Sequence, residues 1–440
     1  MSVSYYAGIN NHLLNQVPAE ARKIFEIGCG YGNFGELVKR RHPDIKYYAM
    51  ELVPEAAKVA ATKLDHVFCG NIETACLVEG QFDCIIFGDV LEHLYDPLDV
   101  LRKVRSMLKP DGCVLCSVPN VQHHSILERL LAGDFQYQDM GLLDRTHIRF
   151  FTYASFIKLL LDAGYAPHIA DVIAIQPQPE FFETFINGLN FIKQDVASAY
   201  YHMSAFQYIF KGTVQLDYDI DAEARFPISF VVPVNNRRIL GDNFQVSPIF
   251  QGQHPHQLIL LENQSSAAQA LENGTRMAQH DFVVYAHQDV YLPHKWDAIF
   301  SREVIKALTC IKNAALFGVF GARSCDGEST RHGVVMDRRW YLNSLDDFPV
   351  KVDSVDELLI GFQKKDYLGA DHALGYHLYG TDLACCFRDS GKASVVVDAL
   401  CFHNSGLGGT LPPEYYAGIP HLREKWQKYL PLATSCGTIT

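Results

Sequence analysis

The stretch KIFEIGCGYGNFGELVKRRHP, residues 23–43, decides the fold of the first half of this chain. KIFEIG reads as a short strand and GNFGELVKRRHP as a helix. Between them stand Gly28, Gly30 and Gly32, with Cys29 among them and Glu26 just before. Glycines at a strand end let the backbone turn tightly and approach a ligand closely. The spacing is GxGxG, whereas dinucleotide sites carry GxGxxG. With a carboxylate ahead of the turn, no pyrophosphate is required, and Glu26 can face a cationic amino group. Glu51 ends the next apolar run, where a carboxylate can accept hydrogen bonds from both hydroxyls of a ribose.

The alternation continues outward from this unit. IKYYAMEL, DHVFCGN, FDCIIFGDV and GCVLCSVPN read as strands, and PEAAKVAATKL, PLDVLRKVRSMLKP and FTYASFIKLLLDAG as helices. Strands alternating with helices imply a parallel sheet covered on both faces. YAPHIADVIAI and SAFQYIFKGTVQ form a closing strand pair, separated by an aromatic helical segment over about 180–203 that could serve as a lid or an interface. The polar stretch LDYDIDAEARFP, 216–227, is the linker candidate. Beyond it ISFVVPVNN, HQLILLENQSS, the helix AAQALENGTRMAQ and DFVVYAHQDV begin a second α/β alternation. The expected domains are 1–219 and 220–440.

Composition bounds the function classes. At roughly 100–200 residues per domain, 440 residues allow two or three domains. The chain is 48% hydrophobic and 20% charged, enough for a full core in each half. Its net charge of −12 offers no basic footprint for nucleic acid. No apolar run reaches the ~18–20 residues that span a bilayer, and MSVSYYAGINNHLLNQ has no leader pattern. The expected location is cytoplasmic, which leaves peripheral membrane or complex association open, along with the oligomeric state. Cys113 and Cys116 stand three apart on a predicted strand, hence on opposite faces, with no second CxxC to complete four ligands. Buried free thiols are expected there.

The set ExGCGxG, Glu51, Cys69-Gly70-Asn71-Ile72 and Phe87-Gly88-Asp89-Val90-Leu91-Glu92-His93, continued by LKPDGCVLCSVPN and HIRFFTYASFIKLLLDAGY, resembles the class I S-adenosylmethionine-dependent methyltransferases over about residues 20–215. The resemblance implies a Rossmann-like domain that binds S-adenosylmethionine. Glu26 and the run Gly28, Cys29, Gly30 and Gly32 would line its methionine part, and Glu51 would hold the ribose. Asn71 and Ile72 would sit by the adenine and Asp89 near the methyl donor; the family more often has Asp at position 71. A hydroxyl acceptor benefits from a base titrating near neutrality. The candidates are His93, the His123–His124 pair and His147, with His147 in DRTHIRFF foremost.

In the second half Pro233, Asn235, Glu262 and His287-Gln288-Asp289 fall at successive strand ends, followed by Val355-Asp356-Glu357, Gly380-Thr381-Asp382 and His403. Ligands of open α/β sheets bind at such ends. The series resembles the inverting family-2 type glycosyltransferases of GT-A fold. It implies that Pro233, Asn235, Glu262, His287, Gln288 and Asp289 bind a nucleotide-sugar. It also implies that Asp289 and His403 hold a divalent cation, Mg²⁺ or Mn²⁺, and that Asp382 is the base for the acceptor hydroxyl. The first acid of the family's DxD is His287 here. Trp296 can be core or a stacking platform. The leading expectation is a bifunctional enzyme, methylating and glycosylating glycan-type acceptors in surface polysaccharide biosynthesis. The alternatives are an active methyltransferase with a non-catalytic carbohydrate-binding second domain, and a scaffold that docks through the aromatic segment.

Overall fold

The computed structural model describes residues 8–75, 81–177, 185, 196–214, 225–325, 328–337, 340–344, 346–404 and 411–440. The chain divides into two compact units, Met1–Leu216 and Asp217–Thr440. The expected boundary at 219/220 lies outside the described residues, as does most of the aromatic segment. Its described end is the helix Val196–Ser204.

The first unit is built on a seven-stranded sheet. Its strands are β1 (Lys23–Ile27), β2 (Lys46–Glu51), β3 (His66–Cys69), β4 (Phe82–Gly88), β5 (Leu108–Pro119), β6 (Tyr165–Ala174) and β7 (Ala205–Val214). They lie in the order β3-β2-β1-β4-β5-β7-β6. The first five are parallel, and β7 runs antiparallel to both β5 and β6. Ile24, Ile86 and Leu115, from three neighbouring strands, are fully buried in one cluster, as expected for strands covered on both faces. The connecting helices start on local signals. Asp96 accepts from the Asp99 N–H ahead of Pro97, and Thr152 forms a capping box with Ser155. Cys84, Cys113 and Cys116 are buried, and the described cysteines are free.

The second unit holds another seven-stranded sheet: β8 (Ile228–Val234), β9 (Gln257–Glu262), β10 (Phe282–Ala286), β11 (Ala314–Gly318), β12 (Val350–Val352), β13 (Leu359–Gln363) and β14 (Ala393–Val396). Its order is β12-β14-β11-β13-β10-β8-β9. β8 is parallel to β9 and β10, whereas β13 runs against both β10 and β11. A smaller sheet lies beside it, in which Val290–Tyr291 pairs antiparallel with Cys401–His403. Phe230, Val284, Phe317 and Val395 are fully buried in the core. Trp296 belongs there too: it is 1% exposed, stacks on Phe300, and its indole N–H donates to the Ala399 carbonyl. It is therefore core and not an acceptor platform. Among the described residues no helix is long and apolar enough to cross a membrane.

Candidate active sites

Parallel register brings the chemistry of the first unit to one sheet edge. Ile27 is level with both Met50 and Phe87, and Phe87 with Cys116. The residues that follow, from Gly28, Glu51 and Asp89, therefore open into a single crevice at the point where the strand order reverses between β1 and β4. A cavity of about 970 Å³ lies there, lined by Glu26, Gly28, Cys29, Gly30, Glu51, Asp89, Glu92, His93 and His147. Gly28 takes φ +76°, and a Cβ at this position would stand 2.5 Å from Val90 Cγ2. Only glycine keeps the turn in that space.

Glu51 is 6% exposed, and each carboxylate oxygen accepts a backbone N–H, Oε2 from Gly30 at 2.8 Å and Oε1 from Val53 at 2.9 Å. The carboxylate thus fixes the glycine turn while each oxygen keeps a second lone pair. Glu26 is buried and accepts from the Tyr47 hydroxyl at 2.9 Å. Burial pushes its carboxyl up to about 8; the Tyr47 bond opposes this, and the nearby Glu51 charge adds to it. A cation arriving beside Glu26 would favour its ionised form. Asp89, at φ +55°, accepts from Ser117 Oγ at 2.7 Å and Gln207 Nε2 at 3.1 Å.

The histidines divide. His93 and His147 line the cavity, their rings in edge contact with centroids 4.8 Å apart. His123 and His124 do not line it; His123 caps the helix that begins at His124, through the Ser125 N–H. Two expected adenine neighbours lie outside that lining. Asn71 turns its Oδ1 onto the Glu73 N–H at 2.9 Å, closing an Asx turn, and Ile72 is buried. Neither lines the cavity. Glu92 received no role from the sequence beyond its place in the Phe87–His93 segment, yet its Oε1 lies 3.9 Å from His147 Nε2.

The second unit repeats the arrangement. Val234 is level with Glu262 and Tyr285 with Val231, so the ends of β8, β9 and β10 face one cavity of about 700 Å³. Pro233, Asn235, Glu262, His287, Gln288 and Asp289 all line it, with Asn263, Tyr376 and His377, which the sequence did not single out. Gln288 Oε1 accepts from the N–H groups of Asn235 and Asn236 at 3.2 and 3.0 Å, tying two strand-end loops together. Glu262 pairs with Arg237 at 2.7 Å.

His287, Asp289 and His403 place one donor atom each within 4.8 Å of one another. Asp289 Oδ1 is buried without a hydrogen-bond partner and lies 3.6 Å from His403 Nε2. The other nitrogen of His403, Nδ1, meets Asp337 Oδ1 at 2.9 Å, and His287 Nε2 meets the Tyr379 hydroxyl at 3.0 Å. A carboxylate behind a histidine is the usual support of a metal ligand. Burial pulls His287 down to about 4, against the nearby Asp289 charge, and keeps it neutral. The donor set fits a divalent cation, with His287 as a ligand in addition to the expected Asp289 and His403.

Asp382, the expected base, lies away from that cavity. It is fully buried in the first turn of the helix Tyr379–Asp389 and does not line the cavity. Its Oδ1 accepts from Trp426 Nε1 and from Lys425 Nζ, both at 2.7 Å. Both bonds fall on Oδ1, whereas Oδ2 is buried without a hydrogen-bond partner, so an acceptor hydroxyl would have to enter that buried position to meet it.

Comparison with known proteins bears on the first unit. The profile of a family described as a methyltransferase domain matches residues 5–168. The ubiquinone biosynthesis O-methyltransferase of Psychrobacter arcticus is 26% identical over 189 residues, 40% of this chain and 70% of that protein. The enzyme of the same name from Xanthomonas campestris pv. campestris strain B100 is 28% identical over 117 residues, 25% of this chain and 48% of that protein. A solved S-adenosylmethionine-dependent methyltransferase from Thermotoga maritima, titled a possible histamine N-methyltransferase, is 17% identical with a TM-score of 0.33. It matches 46% of this chain and 87% of its own. Residues 5–168 of the N-terminal unit thus match a methyltransferase domain.

Proposed function

We propose that this chain is a bifunctional transferase. Its first unit moves a methyl group from S-adenosylmethionine, and its second, a GT-A-like family-2 type domain, moves a sugar from a nucleotide-sugar. Both act on glycan-type hydroxyls in surface polysaccharide biosynthesis, with a cytoplasmic address. The observation that carries this reading is the pair of strand-end cavities, one with Glu26, Glu51 and the glycine turn, the other with the His287–Asp289–His403 donor set.

Bound S-adenosylmethionine supplies an electrophilic methyl on a sulfonium, so methyl transfer is a displacement governed by alignment. Glu51 offers its two remaining lone pairs to the ribose hydroxyls, and Glu26 offers a carboxylate to the ammonium. Asp89, held by Ser117 and Gln207, stands on the side of the cavity where β4 ends. His93 and His147, which line the same cavity, would take the proton of an acceptor hydroxyl bound there. In the second unit the two histidines and Asp289 would hold a cation that neutralises a diphosphate leaving group. Asn235 and Glu262 lie where β8 and β9 end, beside that position.

A second reading is favoured by Asp382. Its burial against Lys425 and Trp426 supports a second unit that binds carbohydrate without transferring a sugar. The test is incubation of the full chain with methyl-labelled S-adenosylmethionine and a panel of nucleotide-sugars, glycan acceptors and Mn²⁺. Incorporation of both methyl and sugar supports bifunctionality. Methyl alone, without Mn²⁺-dependent nucleoside diphosphate binding, supports the second reading, and such binding lost in Asp289→Ala argues against it. No methyl incorporation sinks both.

A further inference from the structure

Glu92 is the least explained carboxylate of the first unit. It sits in the turn Leu91–His93 after β4 and is 1% exposed, and neither of its oxygens has a hydrogen-bond partner. A buried carboxylate is ordinarily paired, hydrogen-bonded or bound to metal. Its nearest cationic candidate is His147, whose Nε2 lies 3.9 Å from Glu92 Oε1. That is beyond hydrogen-bond reach.

The two histidines are prepared as ligands. His147 Nδ1 lies 3.2 Å from the Leu142 carbonyl and His93 Nδ1 3.1 Å from the Thr146 carbonyl. A carbonyl oxygen only accepts, so each Nδ1 carries the proton. Each Nε2 then keeps its lone pair, the tautomer that second-sphere bonds select at metal sites. The backbone locks the group together, because the N–H groups of Ile148 and Arg149 both donate to the Glu92 carbonyl, at 2.9 and 3.0 Å. Glu92, His93 and His147 place one donor atom each within 4.8 Å of one another. Two ligands at bond lengths of about 2.0–2.2 Å on one ion stand roughly 3–3.5 Å apart. The observed separations need only side-chain adjustments to meet that.

We infer that Glu92, His93 and His147 form a site for a borderline divalent cation such as Zn²⁺, Co²⁺ or Mn²⁺, open on its cavity side to the methyl acceptor. Two imidazoles and one carboxylate suit such ions better than Mg²⁺, which prefers an all-oxygen shell. Three protein ligands beside an open cavity are the pattern of a catalytic rather than a structural site. An acceptor hydroxyl binding at the open position would lose its proton more readily, as water does on such ions. The role at the acceptor rests on the methyl-transfer reading, whereas the cation site stands on the cluster itself.

The test is titration of metal-free protein with Co²⁺ near pH 7.5, followed by visible absorption. An Asp289→Ala background silences the second unit's cluster. Binding of S-adenosylhomocysteine is measured on the same samples. The expected result is one Co²⁺ per Asp289→Ala chain, displaced by stoichiometric Zn²⁺ but not by millimolar Mg²⁺. Adding Glu92→Gln, or separately His147→Ala, should weaken Co²⁺ at least tenfold while S-adenosylhomocysteine still binds. Absence of Co²⁺ binding in the Asp289→Ala chain, or a Co²⁺ affinity in both double variants unchanged from that chain, overturns the site. Failure of S-adenosylhomocysteine to bind the unaltered chain would instead overturn the methyl-transfer reading, leaving the Co²⁺ result to decide the cation site.

Discussion

Replacing Glu26 by glutamine should remove a proton linkage from cofactor binding. Burial holds the Glu26 carboxyl at about 8, against an ordinary value of 4.5. In the free protein at pH 7 about a tenth of the molecules carry the ionised form, and at pH 6 about a hundredth. A ligand ammonium beside the carboxylate selects that form. Affinity for S-adenosylhomocysteine should therefore rise about tenfold between pH 6 and 7, more slowly to pH 8, and then level off. Binding at pH 7 should release about 0.9 proton from this group, measurable by calorimetry in two buffers of different ionisation heat. The free protein should show the opposite dependence. A carboxyl raised on folding contributes its stability fully below about pH 4.5 and loses it as pH rises through about 8. Asp89 and His147 line the same cavity and add their own proton exchange, so the decisive quantity is the difference between wild type and Glu26→Gln. A difference that is flat from pH 6 to 8.5, with no change in proton release, would refute the reasoning.

Glu51→Ala should cost about 2–3 kcal/mol of S-adenosylhomocysteine affinity, since charged hydrogen bonds to the ribose and the hold on the Gly30 N–H vanish together; unchanged affinity in a binding titration would remove the ribose assignment. Asp382→Asn should lower the urea midpoint, because it removes the charge of the buried Asp382 that pairs with the partly exposed Lys425, while nucleoside diphosphate affinity stays within about twofold. An unchanged midpoint with sugar transfer abolished would restore Asp382 as a base. Gly274→Ala should destabilise the second unit by about 1–3 kcal/mol in denaturant unfolding, as its Cβ would stand 2.2 Å from Val231 Cγ1. A neutral result would mean that Val231 has room to turn aside.

Much of the fold was legible because its signals are local. The glycine turn, the strand runs and the capping residues each act within a few positions, and the parallel register then aligns strand ends without further instruction. That is why Glu26, Glu51 and Asp89 meet in one cavity, and Asn235, Glu262 and His287 in another. The failures come from distant partners or competing local bonds. Asp382 looks like an available carboxylate until Trp426, 44 positions later, closes over it. Asn71 is claimed by its own Asx turn. Glu92 stands beside His93 in sequence, yet its setting depends on a loop tied to His93 across 53 positions. Asp337 supports His403 from 66 positions away, and no periodicity reports such a bond.

On the proposed function one chain holds two separate sites, one for a nucleoside cofactor and one for a nucleoside diphosphate. Native mass spectrometry of the full chain with S-adenosylhomocysteine and a nucleoside diphosphate plus Mn²⁺ measures it most directly. One of each ligand is expected on a single chain, the first lost in Glu51→Ala and the second in Asp289→Ala. Failure of either ligand to bind the unaltered chain, or loss of both from one substitution, would contradict it.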